Sequence, residues 1–385
     1  MVFNKSMTVN MDVPLEQGDI QRYFLLCYFL LVVIISFLGN SFILSASCRK
    51  GVLKTDKTTV AFLQFLAILD ILIGLFHGVP VLVTLGTERW SLGWVVCLLN
   101  ACVSRVLYIT EILLTVAISC YRLWMLKQPR AVRDRIRVFY VRLFLLLLVL
   151  ISCGLVGIQL KSDGRVEFEP SLMSCSLTRV TGHPVPRLVT FGGVLMLAIP
   201  ILIIIITNTM IVGIACRQTV TVTARCSTIS GKSGSSTGSV VRPSLSETHR
   251  ATFITISLVC IIFVITYAPT LVLACFIGSQ YSAPSWFTPF VVAFLSVNIA
   301  ANPFVYGATN RAFREHVLRS IVTCYGQLQC QQHAAQMVSD VHMRNSDQYI
   351  PLDETLNRSR GTQRSVVPNS SGSIESSIKT SRHST

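Results

Sequence analysis

The chain has 385 residues, of which 51% are hydrophobic and only 13% charged, with a formal net charge of +15 and a mean hydropathy of +0.60. A soluble domain carries roughly twice that charged share, so the composition excludes an ordinary soluble enzyme and indicates an integral membrane protein. The Lys and Arg residues sit in short connections beside apolar runs, as topology signals do, and nucleic acid is not an expected partner.

The 13 cysteines are scattered, with no CxxC pair and no Cys/His cluster, which argues against zinc. Residues 1–22 are polar and read as an outer tail, with a glycosylation acceptor at Asn4. Seven apolar runs follow, each long enough to cross about 30 Å of hydrocarbon as a helix. They are Tyr23–Cys48, Thr58–Leu85, Trp94–Leu126, Val138–Leu160, Leu188–Cys216, Ala251–Ile277 and Ser285–Ala308. The first is too long for a signal peptide. No internal repeat is evident, which counts against a transporter built from duplicated halves.

Orientation follows from the loops. Arg49, Lys50, Lys54 and Lys57 follow the first run, and Lys127, Arg130, Arg133, Arg135 and Arg137 follow the third. The opposite loops carry Glu88, Asp163, Glu167 and Glu169. Basic loops face the cytoplasm, so the N-terminus is expected outside and the C-terminus inside. The Ser/Gly-rich stretch 231–246 reads as a flexible inner loop. Phe313, Val317 and Leu318 lie opposite Arg311, Arg314 and Arg319, which predicts a short helix on the inner membrane surface. Cys324 and Cys330 follow it and are either lipidated or plain thiols. Residues 321–385 read as a disordered cytoplasmic tail, which leaves 23–320 as the membrane domain.

The third run organises the rest. At about 100° per residue, Cys97, Ser104, Tyr108, Glu111, Thr115 and Arg122 fall on one stripe of a helix, and Arg105 lies about 80° off it. A polar stripe on an apolar helix belongs inside a bundle. Asp70 sits within the second run, and Asn298 and Asn302 within the seventh. Together with Glu111 they form either a site for a sodium ion and waters or a hydrogen-bonded network in which a proton replaces the ion. Arg105 and His77 lie at similar outer depths. Arg105 suits a ligand carboxylate or phosphate, although an internal ion pair or snorkelling to the outer surface would also hold it. Ser104 and Tyr108 either line the same pocket or serve only in packing. Cys97 is at the outer tip of the third run and Cys175 in the next outer loop. In an oxidising exterior a bridge is favoured over two free thiols.

These pieces, in order, resemble rhodopsin-like (class A) G-protein-coupled receptors, with this chain a divergent member. The resemblance rests on Gly39-Asn40, on Leu66-Ala67-Ile68-Leu69-Asp70, and on Trp90-Ser91-Leu92-Gly93 before Cys97. It continues through Ala117-Ile118-Ser119-Cys120-Tyr121-Arg122 with Pro129, through Pro200, Phe263 and Pro269, and through Asn302-Pro303-Phe304-Val305-Tyr306. It implies an all-α seven-transmembrane bundle with a short eighth helix, in the plasma membrane. It further implies a receptor that passes binding of an extracellular ligand to a heterotrimeric G protein, with arrestin and receptor kinases as further partners at the tail. No catalytic residue and no cofactor are expected beyond an allosteric sodium ion.

By the same resemblance, Arg122, Phe263, Pro269, Pro303 and Tyr306 serve activation; Arg105, Ser104, Tyr108, His77 and Tyr267 are the candidates for the ligand pocket. Amine receptors of the family carry an acid where Ser104 stands, and opsins a lysine where Ser296 stands. A monoamine and retinal are therefore not expected, which leaves a peptide or a small, acidic molecule. The chain also departs from the family. Tyr121 replaces the acid before the arginine, Leu123 the tyrosine after it, Tyr267 a tryptophan and Asn208 a tyrosine. Neither Tyr121 nor His249 brings a carboxylate to Arg122, so a weakened clasp and raised basal activity are expected. The alternatives are a receptor-shaped protein that has lost coupling, and a transporter or channel.

Overall fold

The computed structural model describes residues 15, 18–49, 52–53, 56–128, 138–161, 164–179, 194–214, 247–279 and 283–347. Asn4, Pro129, the loop 231–246 and most of the basic inner connections lie outside these, as do the side chains of His249 and Cys330. The chain divides into two compact units, residues 1–321 and 322–385.

Seven helices of the first unit are long and apolar enough to cross a membrane. They are α1 (Asp19–Cys48), α2 (Lys57–Thr87), α3 (Gly93–Lys127), α4 (Val138–Lys161), α5 (Val194–Ile214), α6 (Glu247–Ser279) and α7 (Phe287–Thr309). Their apolar outer faces, such as Leu30, Leu146 and Ile206, are exposed, as lipid-facing surface is. α1 packs on α2 and α7, α3 on α2 and α4, and α6 on α7.

Local chemistry sets the helix ends. Asp56 caps α2: its carboxylate accepts from the Thr59 N–H at 2.9 Å and from the Thr59 hydroxyl at 2.7 Å. Halfway along, Gly74–Gly78 forms a π-turn. The extra residue in that turn rotates the outer half of the helix relative to the inner half. The glycines at its ends allow close approach to α1: a Cβ on Gly74 would lie 2.9 Å from the Ser36 hydroxyl. α2 stops where Glu88 takes a left-handed conformation, φ 63°. A Cβ on Gly39 of α1 would overlap the Pro303 ring of α7.

The outer loop between α4 and α5 contains a hairpin that apolar run length did not reveal. β1 (Gly164–Glu169) pairs antiparallel with β2 (Ser174–Arg179), with Phe168 opposite Cys175 and Val166 opposite Leu177. The alternation Val166, Phe168 against Arg165, Glu167 and Glu169 is a strand signal, but the stretch is too short to stand out. A bridge joins Cys97 to Cys175, with the Cα atoms 5.3 Å apart. Val166, Phe168 and the bridge bury against Trp90 and Ala101.

After α7, α8 begins at Arg311 with Asn310 accepting from the Phe313 N–H at 3.1 Å. Phe313 is buried beside Tyr306, and His316 lies 3.2 Å from the Ser45 hydroxyl. Leu318, expected on the membrane face, is exposed. α8 does not end near Ser320. It runs to Asp347, so the tail from residue 321 is helical over its first part, because no proline interrupts the chain before Pro351.

Candidate functional site

The polar stripe of α3 faces inward. Cys97, Ser104, Glu111, Thr115 and Arg122 are all buried, and Tyr108 is half-buried. Around this seam the other helices supply partners at three depths.

At the outer depth, Asn100 ties three elements together. Its side chain accepts from the Cys175 N–H at 2.9 Å and donates to the Phe76 carbonyl at 2.6 Å. Ser104 donates to the same carbonyl at 3.1 Å, so its hydroxyl is engaged by the π-turn. That turn carries His77 against the Tyr108 ring, edge to face at 5.5 Å. The Tyr108 hydroxyl is buried with no hydrogen-bond partner among the described residues. The Arg105 side chain, for which snorkelling to the outer surface was one of the alternatives, is exposed. Its angle takes it off the packed seam.

The middle depth holds the two carboxylates. Glu111 accepts from the Tyr267 hydroxyl at 3.0 Å on one oxygen and from the Asn298 amide on the other. Asp70 accepts from the Asn302 amide at 2.7 Å on one oxygen. Its Oδ1 is buried and has no partner among the described residues. Ser36 donates to the Asp70 carbonyl at 2.9 Å, and Asn40 donates to the Ile299 carbonyl at 3.0 Å, which joins α1, α2 and α7. Two buried carboxylates in one seam repel unless a cation or proton accompanies them. The open Asp70 Oδ1 is the kind of hard oxygen donor that fits a hard monovalent cation.

Tyr267 was expected to line the ligand pocket. It is 2% exposed, stacked on Phe263 at 4.2 Å and bonded to Glu111. It takes part in this network. The bond has a simple cause: a phenol carries a donor to a buried carboxylate, where an indole at the same position would have to aim differently.

At the inner depth, Arg122 is buried, as are Tyr306 and Pro303's neighbour Asn302. Ser119 shares a hydrogen bond with Thr207 at 2.8 Å and accepts from Asn208 at 3.0 Å. Asn208 thus links α5 to α3. Tyr121 packs edge-on against Phe62 at 5.4 Å and donates its hydroxyl to Asp56 at 2.7 Å. Burial pushes the Asp56 carboxyl up, but hydrogen bonds from Thr59 and Tyr121 and the positive charge of Arg122 outweigh it and hold the group below its ordinary range. Tyr121 therefore brings no acid of its own to the inner end of α3 but meets one. The acid comes from α2's cap, 65 residues before Tyr121, and its N-cap signature gave no hint of a second partner.

One further ion pair was not legible in the sequence. Arg22 of α1 pairs with Glu88 at the end of α2 and with Asp19 at 3.4 Å. Of the lipidation candidates, Cys324 is a free, exposed thiol. No group of three or more His, Cys, Asp or Glu side chains poised for a metal occurs among the described residues.

Comparison with known proteins agrees with this architecture. Residues 39–306 match the family model described as 7 transmembrane receptor (rhodopsin family). The melatonin receptor type 1A of Phodopus sungorus is 23% identical over 309 residues, which cover 77% of this chain and 80% of that receptor. The neuropeptide Y receptor type 5 of Sus scrofa is 34% identical over 127 residues, 33% of this chain but only 28% of that receptor's length. The crystal structure of squid rhodopsin superposes with a TM-score of 0.62 at 19% identity, covering 80% of this chain and 88% of that one.

Proposed function

The chain belongs to the rhodopsin family of seven-transmembrane receptors, and on that premise we propose that it carries binding of an extracellular ligand to a heterotrimeric G protein. It is a multi-pass membrane protein and a receptor fold rather than an enzyme. The proposal places it in the plasma membrane with its N-terminus outside.

The observation that supports this reading best is the continuous seam. Tyr108 and His77 at the outer end lie on the same helices that carry Glu111 and Asp70 in the middle and Arg122 at the inner end. A ligand that binds one arrangement of the outer groups more tightly shifts the population of the whole packing. The bonds from Tyr267 and Asn298 to Glu111 couple α3 to α6 and α7, and Pro269 and Pro303 lie inside those helices where they can bend. Opening at the inner end offers Arg122 to the G protein. A sodium ion, when bound, would be held by Asp70 with Glu111 nearby and would supply the positive charge this pair calls for. Arrestin and receptor kinases would act on the tail, and Cys324 would take a lipid.

The ligand class follows from Arg105, His77 and Tyr108: a peptide or small molecule bearing a carboxylate or phosphate. The test is a ligand screen on cells, read by G-protein dissociation and repeated with Arg105→Ala. Loss of at least about tenfold in potency is expected when a charge pair formed on binding is removed. Unchanged potency overturns the anionic anchor, and a receptor that reaches the surface yet activates no G protein overturns coupling.

A further inference from the structure

We propose that Ser119 is a positioning residue for the inner end of the bundle. Its hydroxyl holds α5 to α3 through two strong bonds and α6 to α3 through one weak bond, so that α6 is the helix released when the packing switches. The inference deepens the coupling reading above and rests on it for its signalling consequence, though not for its geometry.

Proton accounting fixes the direction of each bond in this knot. A serine hydroxyl has one proton to give and two lone pairs to receive. Thr207 of α5 spends its own proton on its helix, at the Ile203 carbonyl 2.8 Å away or the Ile204 carbonyl 3.0 Å away. In the 2.8 Å contact between the two hydroxyls Ser119 is therefore the donor. One lone pair of Ser119 accepts from the Asn208 amide at 3.0 Å, and the other N–H of that amide goes to the Ile204 carbonyl at 2.9 Å. The second lone pair accepts from the Cys260 thiol of α6 at 3.8 Å. That thiol is also within hydrogen-bonding range of the Asn208 side chain. All four residues are buried.

The arms differ in strength. The hydroxyl and amide bonds that tie α5 to α3 are of ordinary length, 2.8 Å and 3.0 Å. A thiol is a weak donor, and among the described residues α6 reaches the knot through sulfur alone. Moving α5 away from α3 would strand a buried amide and a buried hydroxyl, each costly to leave unpaired. Moving α6 away forfeits the weakest bond and leaves the other two made. Asn208, which replaces a tyrosine of the family, thus makes α3 and α5 one piece against which α6 swings.

The experiment uses the full-length receptor at matched surface expression. Cys260→Ala removes the weak arm with little change in size, and Cys260→Ser puts a stronger donor on the same carbon. Cys260→Ala is expected to raise ligand-independent G-protein activation about two- to threefold, the scale on which one weak hydrogen bond moves a two-state equilibrium. Cys260→Ser is expected to lower it by a similar factor. In a background of Ser119→Ala with Asn208→Leu, where the partners of the thiol are gone, neither Cys260 variant is expected to change anything further; an effect of sulfur packing alone would persist there. A second readout does not depend on coupling: distances in purified receptor between spin labels carried on unnatural amino acids, which leave the native thiols untouched. The labels pair Trp124 of α3 with Ile254 of α6, and Trp124 with Val212 of α5, all exposed positions. Cys260→Ala is expected to enrich the longer α3–α6 distances, Cys260→Ser to deplete them, and both to leave α3–α5 unchanged. If both variants keep wild-type distances and basal signal, or act as strongly in the double-variant background, the proposal is overturned while coupling stands. If the distances shift as expected and no G protein responds, the latch stands and the coupling reading fails.

Discussion

At the scale of single residues, the middle of the seam is governed by donors rather than by charge alone. Glu111 keeps both oxygens occupied, by Tyr267 and Asn298. Tyr267→Phe would preserve the stack on Phe263 and delete one donor to a buried carboxylate. The expected cost is about 1–3 kcal/mol, seen as a lower melting temperature of purified receptor with little change in expression. Asp70 behaves differently because its Oδ1 has no partner among the described residues. Sodium chloride, compared with a bulky organic chloride at equal ionic strength, is expected to raise the melting temperature, and Asp70→Asn to remove the rise. A melting temperature indifferent to sodium would assign the site to a proton-bridged network instead. The residue scale is also where reading the sequence succeeded unevenly. The α3 stripe was legible because helical periodicity is a local property. The burial of Arg105 was left open, and it is exposed, because an angle of about 80° from the stripe leaves the outcome to whichever neighbouring helix comes near.

At the scale of elements, two contacts set how the helices sit. α1 approaches α7 closely enough that Gly39 has no room for a side chain beside Pro303. Gly39→Val is expected to destabilise by about 1–3 kcal/mol through overpacking, measured by thermal unfolding and lowered surface expression. α8 is held by Phe313 and by His316 beside Ser45. Burial, and then the charges of Arg49 and Arg319, push the His316 imidazole below its ordinary value of 6.5. The folded state thus takes up a proton less readily than the undocked helix. The contact is intact above 6.5 and weakens as pH falls below that value. Hydrogen-exchange protection over Arg311–Ser320, taken relative to the intrinsic rate at each pH, is expected to fall between about pH 7 and pH 5.5, and His316→Gln to flatten that dependence. The spans themselves were readable to within a few residues from apolar length. The hairpin of β1 and β2 and the π-turn in α2 were not, since each is decided by a handful of residues that fit several conformations equally well.

At the scale of the whole molecule, the bridge between Cys97 and Cys175 fixes the hairpin to the outer end of α3, and Asn100 seconds it with hydrogen bonds to β2 and α2. Replacing both cysteines by serine is expected to cost about 2–4 kcal/mol and to abolish high-affinity ligand binding before it abolishes the inner contacts. Ligand binding and basal signalling, measured on the same variant, separate the two. The Arg22–Glu88 pair is exposed to solvent on the Glu88 side, so its removal is expected to matter little to stability.

The order of apolar runs and their inward stripe were settled by the amino-acid sequence alone, because hydrophobic length and helical period act on neighbours along the chain. Which side chains meet across helices was not. Asp56 finding Tyr121, Asn298 finding Glu111 and Tyr267 finding Glu111 depend on how separate helices pack. That packing joins positions tens to hundreds of residues apart, and only the tertiary structure decided it.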